Sequence, residues 1–70
     1  MTQGNEHIQK LISARAREVE QRRNVAAVLA QAYERGETER MREAFINLQN
    51  TIEAIERAIE HERYLAQVGQ

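Results

Sequence analysis

The second half of the chain places apolar residues at intervals that alternate between four and three. The six residues of this series are Met41, Phe45, Leu48, Ile52, Ile55 and Ile59. This spacing is the heptad repeat of an amphipathic helix, with the second, fourth and sixth members at a and the others at d. The g positions, which widen this face, are Ala44, Thr51, Ala58 and Leu65. The pattern predicts a long helix over about residues 39–66 that packs against a neighbour.

The first half of the chain has a weaker apolar pattern, which predicts another long helix over about residues 6–35. Following the spacing of Ile8 and Ile12 gives inward positions at Arg15, Val19, Arg22, Ala26 and Leu29. Two arginines therefore interrupt the stripe. We expect their stems to lie along the seam and their charged heads to reach water. The alternative is a buried layer in which arginine pairs with Glu18 or Gln49 and fixes the register.

Residues 34–38 predict the connection between the two helices. Gly36 suits the left-handed residue that follows a helix end, and Thr38 suits the cap of the next helix. Asn5 is the expected cap of the first helix. The alternative, a continuous rod with Gly36 inside it, costs about 1 kcal/mol relative to alanine. The sequence predicts an all-α antiparallel hairpin with its turn at Gly36, forming a single domain over residues 1–70.

Folding back at this turn places Leu29 opposite Phe45 and Arg22 opposite Ile52. Two helices cover only one side of each stripe, so we expect Val25, Ile52, Ile55 and Ile59 to stay partly exposed. Residues 24–32 also spread apolar side chains around more than half of the helix, which favours several neighbours. Two hairpins would then pair into a four-helix bundle. The predicted core and interface residues are Ile8, Ile12, Val19, Val25, Ala26, Leu29, Tyr33, Met41, Phe45, Leu48, Ile52, Ile55 and Ile59.

Composition narrows the class of protein. The chain has 70 residues, no Cys and no Pro, and its 10 basic and 11 acidic residues leave a formal net charge of −1. This balance argues against a general polyanion binder, and the missing cysteines exclude disulfides and thiolate metal sites. No 18-residue apolar run and no signal-peptide pattern occurs, so we expect a cytoplasmic protein with no membrane contact.

Few residues suggest chemistry. Glu60, His61 and Glu62, with Glu56 one turn earlier, form the one cluster that could attract a metal, but the spacing matches no metal-binding helix motif. With one Ser and no Cys, no nucleophile arrangement is available. We therefore predict no enzyme activity, no cofactor and no metal.

A basic stretch in the first helix suggests a nucleic-acid surface, with possible contacts from Arg15, Arg22 and Arg23. No aromatic residues accompany them for base stacking. Our main prediction is a non-enzymatic interaction module, an adaptor, chaperone or regulator that dimerises or clamps a partner helix. The alternative is a nucleic-acid-binding four-helix dimer. In architecture the predicted layout resembles the Rop family, whose hairpin dimers bind RNA, and the hairpin co-chaperones of type III secretion needles.

Overall fold

The computed structural model of the protein describes the backbone of residues 3–31 and 35–69 and the side chains of 6–31 and 38–69. Two helices account for nearly all of it: α1 spans Gln3–Gln31 and α2 spans Arg35–Gln67. They pack against each other as a helical hairpin. The prediction of an all-α hairpin is confirmed. Helix-favouring Ala, Glu, Arg and Gln fill both segments, and no Pro interrupts them.

The helix boundaries differ from those predicted. α1 ends four residues earlier than expected, at Gln31, and α2 begins at Arg35. Gly36 and Thr38 therefore lie in the first turns of α2, so the prediction that they form the turn and its cap is wrong. Asn5 likewise lies inside α1 and does not precede it. Residues 32–34, among them Tyr33, lie outside the described residues.

A left-handed glycine does end a helix, but at the other end of α2. Gly69 has a φ of 84°, and the amide of Val68 donates to the carbonyl oxygen of Tyr64 at 3.1 Å. A glycine just past the last turn satisfies helix carbonyls at no steric cost. A glycine-terminated helix end of the kind predicted at Gly36 is therefore found after α2, at Gly69.

The hairpin is a rod. Its Cα dimensions are 53 × 16 × 11 Å and its radius of gyration is 16.0 Å, whereas a compact chain of this length has about 11 Å. The solvent-accessible surface is 5579 Å², against about 4,500 Å² for a compact protein of this mass. A single layer of two helices cannot enclose a core on all sides.

Two cross-helix contacts fix the register. Arg22 contacts Gln49, and Arg15 contacts Glu56 seven residues further from the turn on both helices. The predicted partner of Arg22 was Ile52, but its observed partner is Gln49, three residues nearer the start of α2. The helix bounds differ from the predicted ones, and the pairing along the seam differs with them.

Burial identifies the core. Among the described side chains only Ile52 and Ile59 are buried, each 2% exposed. The prediction that these two stay partly exposed is wrong, because the α1 side chains cover the a positions of α2. Val25 and Ile55 are half-buried, as expected.

Candidate interaction surface

The two helices meet along a seam whose two sides differ in chemistry. With Ile8 at position a of α1, the a and d positions of that helix are Ile8, Leu11, Arg15, Glu18, Arg22, Val25 and Leu29, and none of them is exposed. Because the helices run antiparallel, the e positions of both lie on one side of this seam and the g positions on the other.

The e side holds the cross-helix polar contacts, and α1 also places the half-buried apolar residues Ile12 and Val19 there. Arg22 Nη1 donates to Gln49 Oε1 at 2.7 Å, in a half-buried setting. Gln49 Nε2 in turn donates to Glu53 Oε2 at 3.0 Å. Arg15 Nη1 lies 4.0 Å from Glu56 Oε2, with side chains 36% and 52% exposed. The expectation that the Arg22 head simply reaches water is wrong, and the arginine–glutamine pairing considered as the alternative is present.

These contacts occupy the arginines considered for nucleic-acid binding. Arg15 faces Glu56, Arg22 is bonded to Gln49, and Arg23 lies 3.8 Å from Glu20 one turn earlier in its own helix. Phosphate binding would have to compete with each partner, two of which are carboxylates. The structure therefore does not present these three cations as one unpaired basic patch.

The g side is apolar. It carries half-buried d residues of α2 beside small or apolar g residues of both helices. We call this surface the open face and define it by Ala14, Ala44, Leu48, Ile55, Ala58 and Leu65, all of them half-buried. Val28, also at a g position, is 44% exposed near its turn end. The a residues Ile52 and Ile59 are buried, whereas the neighbouring d residues Leu48 and Ile55 are only half-buried. The apolar stripe of α2 therefore continues from the seam onto the g side.

Two of the polar residues at g positions, Thr51 and Gln21, form hydrogen bonds within their own helices. Thr51 Oγ1 donates to the carbonyl oxygen of Asn47 at 2.9 Å. Gln21 Oε1 accepts from Asn24 Nδ2 at 3.3 Å. A hydroxyl that bonds back to its own helix needs no further partner, and its methyl group is left as contact surface.

Four charged residues at or beside the open face have no hydrogen bond or ion pair within the described part of the hairpin. Glu18 and Glu62 occupy d positions and are half-buried, whereas Lys10 and Arg17, at the adjoining c positions, are exposed. This surface thus carries charges of both signs that the hairpin itself does not pair.

The remaining candidate features show no built site. No group of three or more metal-ligating residues comes together within the described ranges, including around His61. A surface depression lined by Glu53, Glu56, Arg57 and Glu60 lies along α2 alone. Neither α1 nor α2 contains a stretch in its described residues apolar enough to cross a bilayer.

The predicted core residues fall into three groups. Ile52 and Ile59 are buried, and Ala26 is exposed, so its predicted inward position is wrong. The rest of the described set is half-buried: Ile8, Ile12, Val19, Val25, Leu29, Met41, Phe45, Leu48 and Ile55.

Sequence reasoning missed the seam positions of Leu11 and Glu18. In α1 the series through Ile12, Val19 and Ala26 contains fewer polar residues than the true a/d series. Counting apolar residues therefore favours the e positions. The alternating intervals of α2, applied to α1 from Ile8, would have found Leu11, Glu18 and Val25.

The fold defines this protein as an all-α helical hairpin. No known protein family model matches the chain, and no curated protein or solved structure is significantly similar to it.

Proposed function

We propose that this protein is a non-enzymatic interaction module that acts by packing its helical hairpin against another helical surface, either a second copy or another protein. Adaptors, chaperones and small regulators work in this way. The observation that carries the proposal is the open face, an apolar surface continuous with the core.

The amount of exposed surface supports the same proposal. The hairpin exposes 5579 Å², which is about 1,100 Å² more than a compact protein of its mass. A specific interface of standard size covers about 800 Å² on each partner. One interface on this hairpin would therefore bring its exposed surface close to that of an ordinary compact domain.

The experiment is light scattering combined with circular dichroism on the purified chain at micromolar concentration. We expect either a defined oligomer or a chain whose helicity is low until a partner is added. A small scaffold whose described residues include only two buried side chains needs further support. A compact monomer that stays helical to high temperature without any partner would contradict the proposal.

Nucleic-acid binding is the alternative function, and a salt titration separates it from the first. Binding of RNA or DNA through phosphate contacts weakens steeply with salt, whereas an apolar protein interface does not. We expect no salt-sensitive binding to RNA or DNA duplexes, because Arg15, Arg22 and Arg23 already have partners. Tight binding at 50 mM salt that is lost at 200 mM would favour the alternative.

A further inference from the structure

We propose that the open face is covered by a second copy of this chain, so that two hairpins form a dimer through their g sides. This inference rests on the proposed function and names its partner and its surface. The polar e side, with Arg15, Arg22 and Gln49, is left facing solvent in this dimer.

Area is the first argument for a second copy. The hairpin's excess surface of about 1,100 Å² is close to the roughly 800 Å² that each partner contributes to a stable interface. A two-fold dimer needs one self-complementary patch of that size. The open face suits such a contact, because the small residues Ala14, Ala44 and Ala58 let helices approach closely while Leu48 and Leu65 supply apolar area.

Asymmetry across the seam is the second argument. On the e side the hairpin satisfies its own polar groups through Arg22, Gln49 and Glu53. On the g side the d residues Leu48 and Ile55 remain half-buried while Ile52 and Ile59 are covered. The apolar residues of the g side are therefore not interrupted by a cross-helix polar contact, whereas Ile12 and Val19 on the e side lie beside the contacts of Arg15 and Arg22.

Charge is the third argument. The open face carries Glu18 and Glu62 at seam positions, with Lys10 and Arg17 along its border, and these four residues have no partner within the described hairpin. A surface that carries both signs is complementary to a copy of itself, since each copy offers cations to the other's carboxylates. A net charge of −1 per chain adds little repulsion between copies.

Two substitutions in one helix test the face. Ala14→Arg places a charge and a long side chain on the open face, whereas Ala16→Arg makes the same change two residues away at an exposed b position on the other side of α1. Both exchange one strong helix former for another. Sedimentation velocity over a concentration series gives the dimer dissociation constant of each variant, and circular dichroism reports its helicity.

We expect Ala14→Arg to raise the dissociation constant by at least about 30-fold, because a symmetric dimer receives the long side chain twice at a place where alanine lets the helices approach closely. Ala16→Arg should leave it within about threefold of the unmodified chain. Ala58→Arg, on α2, is a second test of the same face and should act like Ala14→Arg.

Three results would overturn this inference, and they bear differently on the proposed function. A dimer weakened equally by both α1 variants, or more by Ala16→Arg, would place the contact elsewhere while self-association stands. If the chain is helical only when a different protein is bound, a second copy does not cover the open face, but the proposed interaction role stands. A thermally robust monomer would overturn both.

Discussion

At the scale of single residues, the contact between Arg22 and Gln49 shows how a charged residue is accommodated at a core position. The Arg22 head does not escape to water but donates to Gln49 at 2.7 Å, and Gln49 is held by Glu53. A hydrogen bond from a charged donor is stronger than one between neutral groups, and its partner must be polar. Arg22 is therefore accommodated in the seam because the register of the two helices places Gln49 beside it.

The first prediction is that Arg22 and Gln49 are energetically coupled. Replacing each with Ala, alone and together, should give a coupling energy of about 1 kcal/mol, since the bond is half-buried and is made by a charged group. The measurement is urea unfolding of the three variants. Arg23→Ala with Gln49→Ala is the control cycle and should show no coupling, because Arg23 contacts Glu20 on its own helix. Coupling of equal size in both cycles would contradict the assigned role.

The second prediction separates a covered isoleucine from an exposed one on the same helix. Ile59 is 2% exposed and Ile46 is 50% exposed. Replacing Ile59 with Ala should lower the free energy of unfolding by about 2–5 kcal/mol, because a cavity remains in the core. Ile46→Ala should change it by about 0.5 kcal/mol or less. Thermal or urea denaturation measures both, and similar losses would mean that the buried face of α2 is assigned wrongly.

At the scale of elements, the ends of the helices decide how the hairpin pairs. Here α1 ends at Gln31, four residues before its predicted end, and α2 begins at Arg35, four residues before its predicted start. The partner of Arg22 lies three residues earlier in α2 than predicted, which is about one helical turn, so α2 keeps the same apolar face inward while its partners change. Arg22 therefore meets Gln49 and not Ile52.

The third prediction concerns Gly36, which lies in the first turn of α2. Gly36→Ala should stabilise the protein by about 0.5–1 kcal/mol, because alanine loses less backbone entropy in a helix. Gly36→Asn is the matched comparison and should be less stable than Gly36→Ala. If the backbone at position 36 were left-handed, Gly36→Asn would be the more stable of the two variants, because asparagine tolerates a positive φ and alanine does not. Melting temperatures of the two variants decide between these conformations.

At the scale of the whole molecule, shape limits stability. A rod of 53 × 16 × 11 Å made of two helices covers each helix on one side only. Two buried side chains among the described residues are few for a chain that must offset the entropy of ordering its backbone, which costs about 1–2 kcal/mol per residue. A second layer of helices would supply the missing apolar burial, and the open face is the place where it can be added.

The fourth prediction is that folding and association are coupled. The melting midpoint should rise by about 3–5 °C for each tenfold increase in protein concentration, as mass action requires when the folded state is a dimer. Circular dichroism melts between 1 and 100 micromolar measure this slope. Ala14→Arg should flatten the slope and Ala16→Arg should preserve it. A midpoint independent of concentration, combined with high helicity, would show that the hairpin is stable alone.

The sequence by itself determined the fold class and most of the seam. Alternating intervals of four and three in α2 define one helical face whatever the partner, and the absence of proline lets both segments remain helical. The hairpin follows because two long amphipathic helices in one chain bury most by folding back. These features depend on local periodicity, which is written directly in the order of the residues.

Only the tertiary structure decided the register, the use of the arginines and the side left open. Gly36 can be a helix end or a helical residue at a difference of about 1 kcal/mol, which packing along the whole seam outweighs. The inward series of α1 was likewise ambiguous, because Ile12 and Leu11 are both apolar and adjacent. Packing against α2 selected Leu11, Glu18 and Val25 for the seam, brought Arg22 to Gln49, and left Ala26 exposed. Such choices depend on what the second helix offers at each level. The heptad spacing of α2 points to Leu11 and Glu18 when it is carried over to α1, but the apolar residues of α1 alone do not select them.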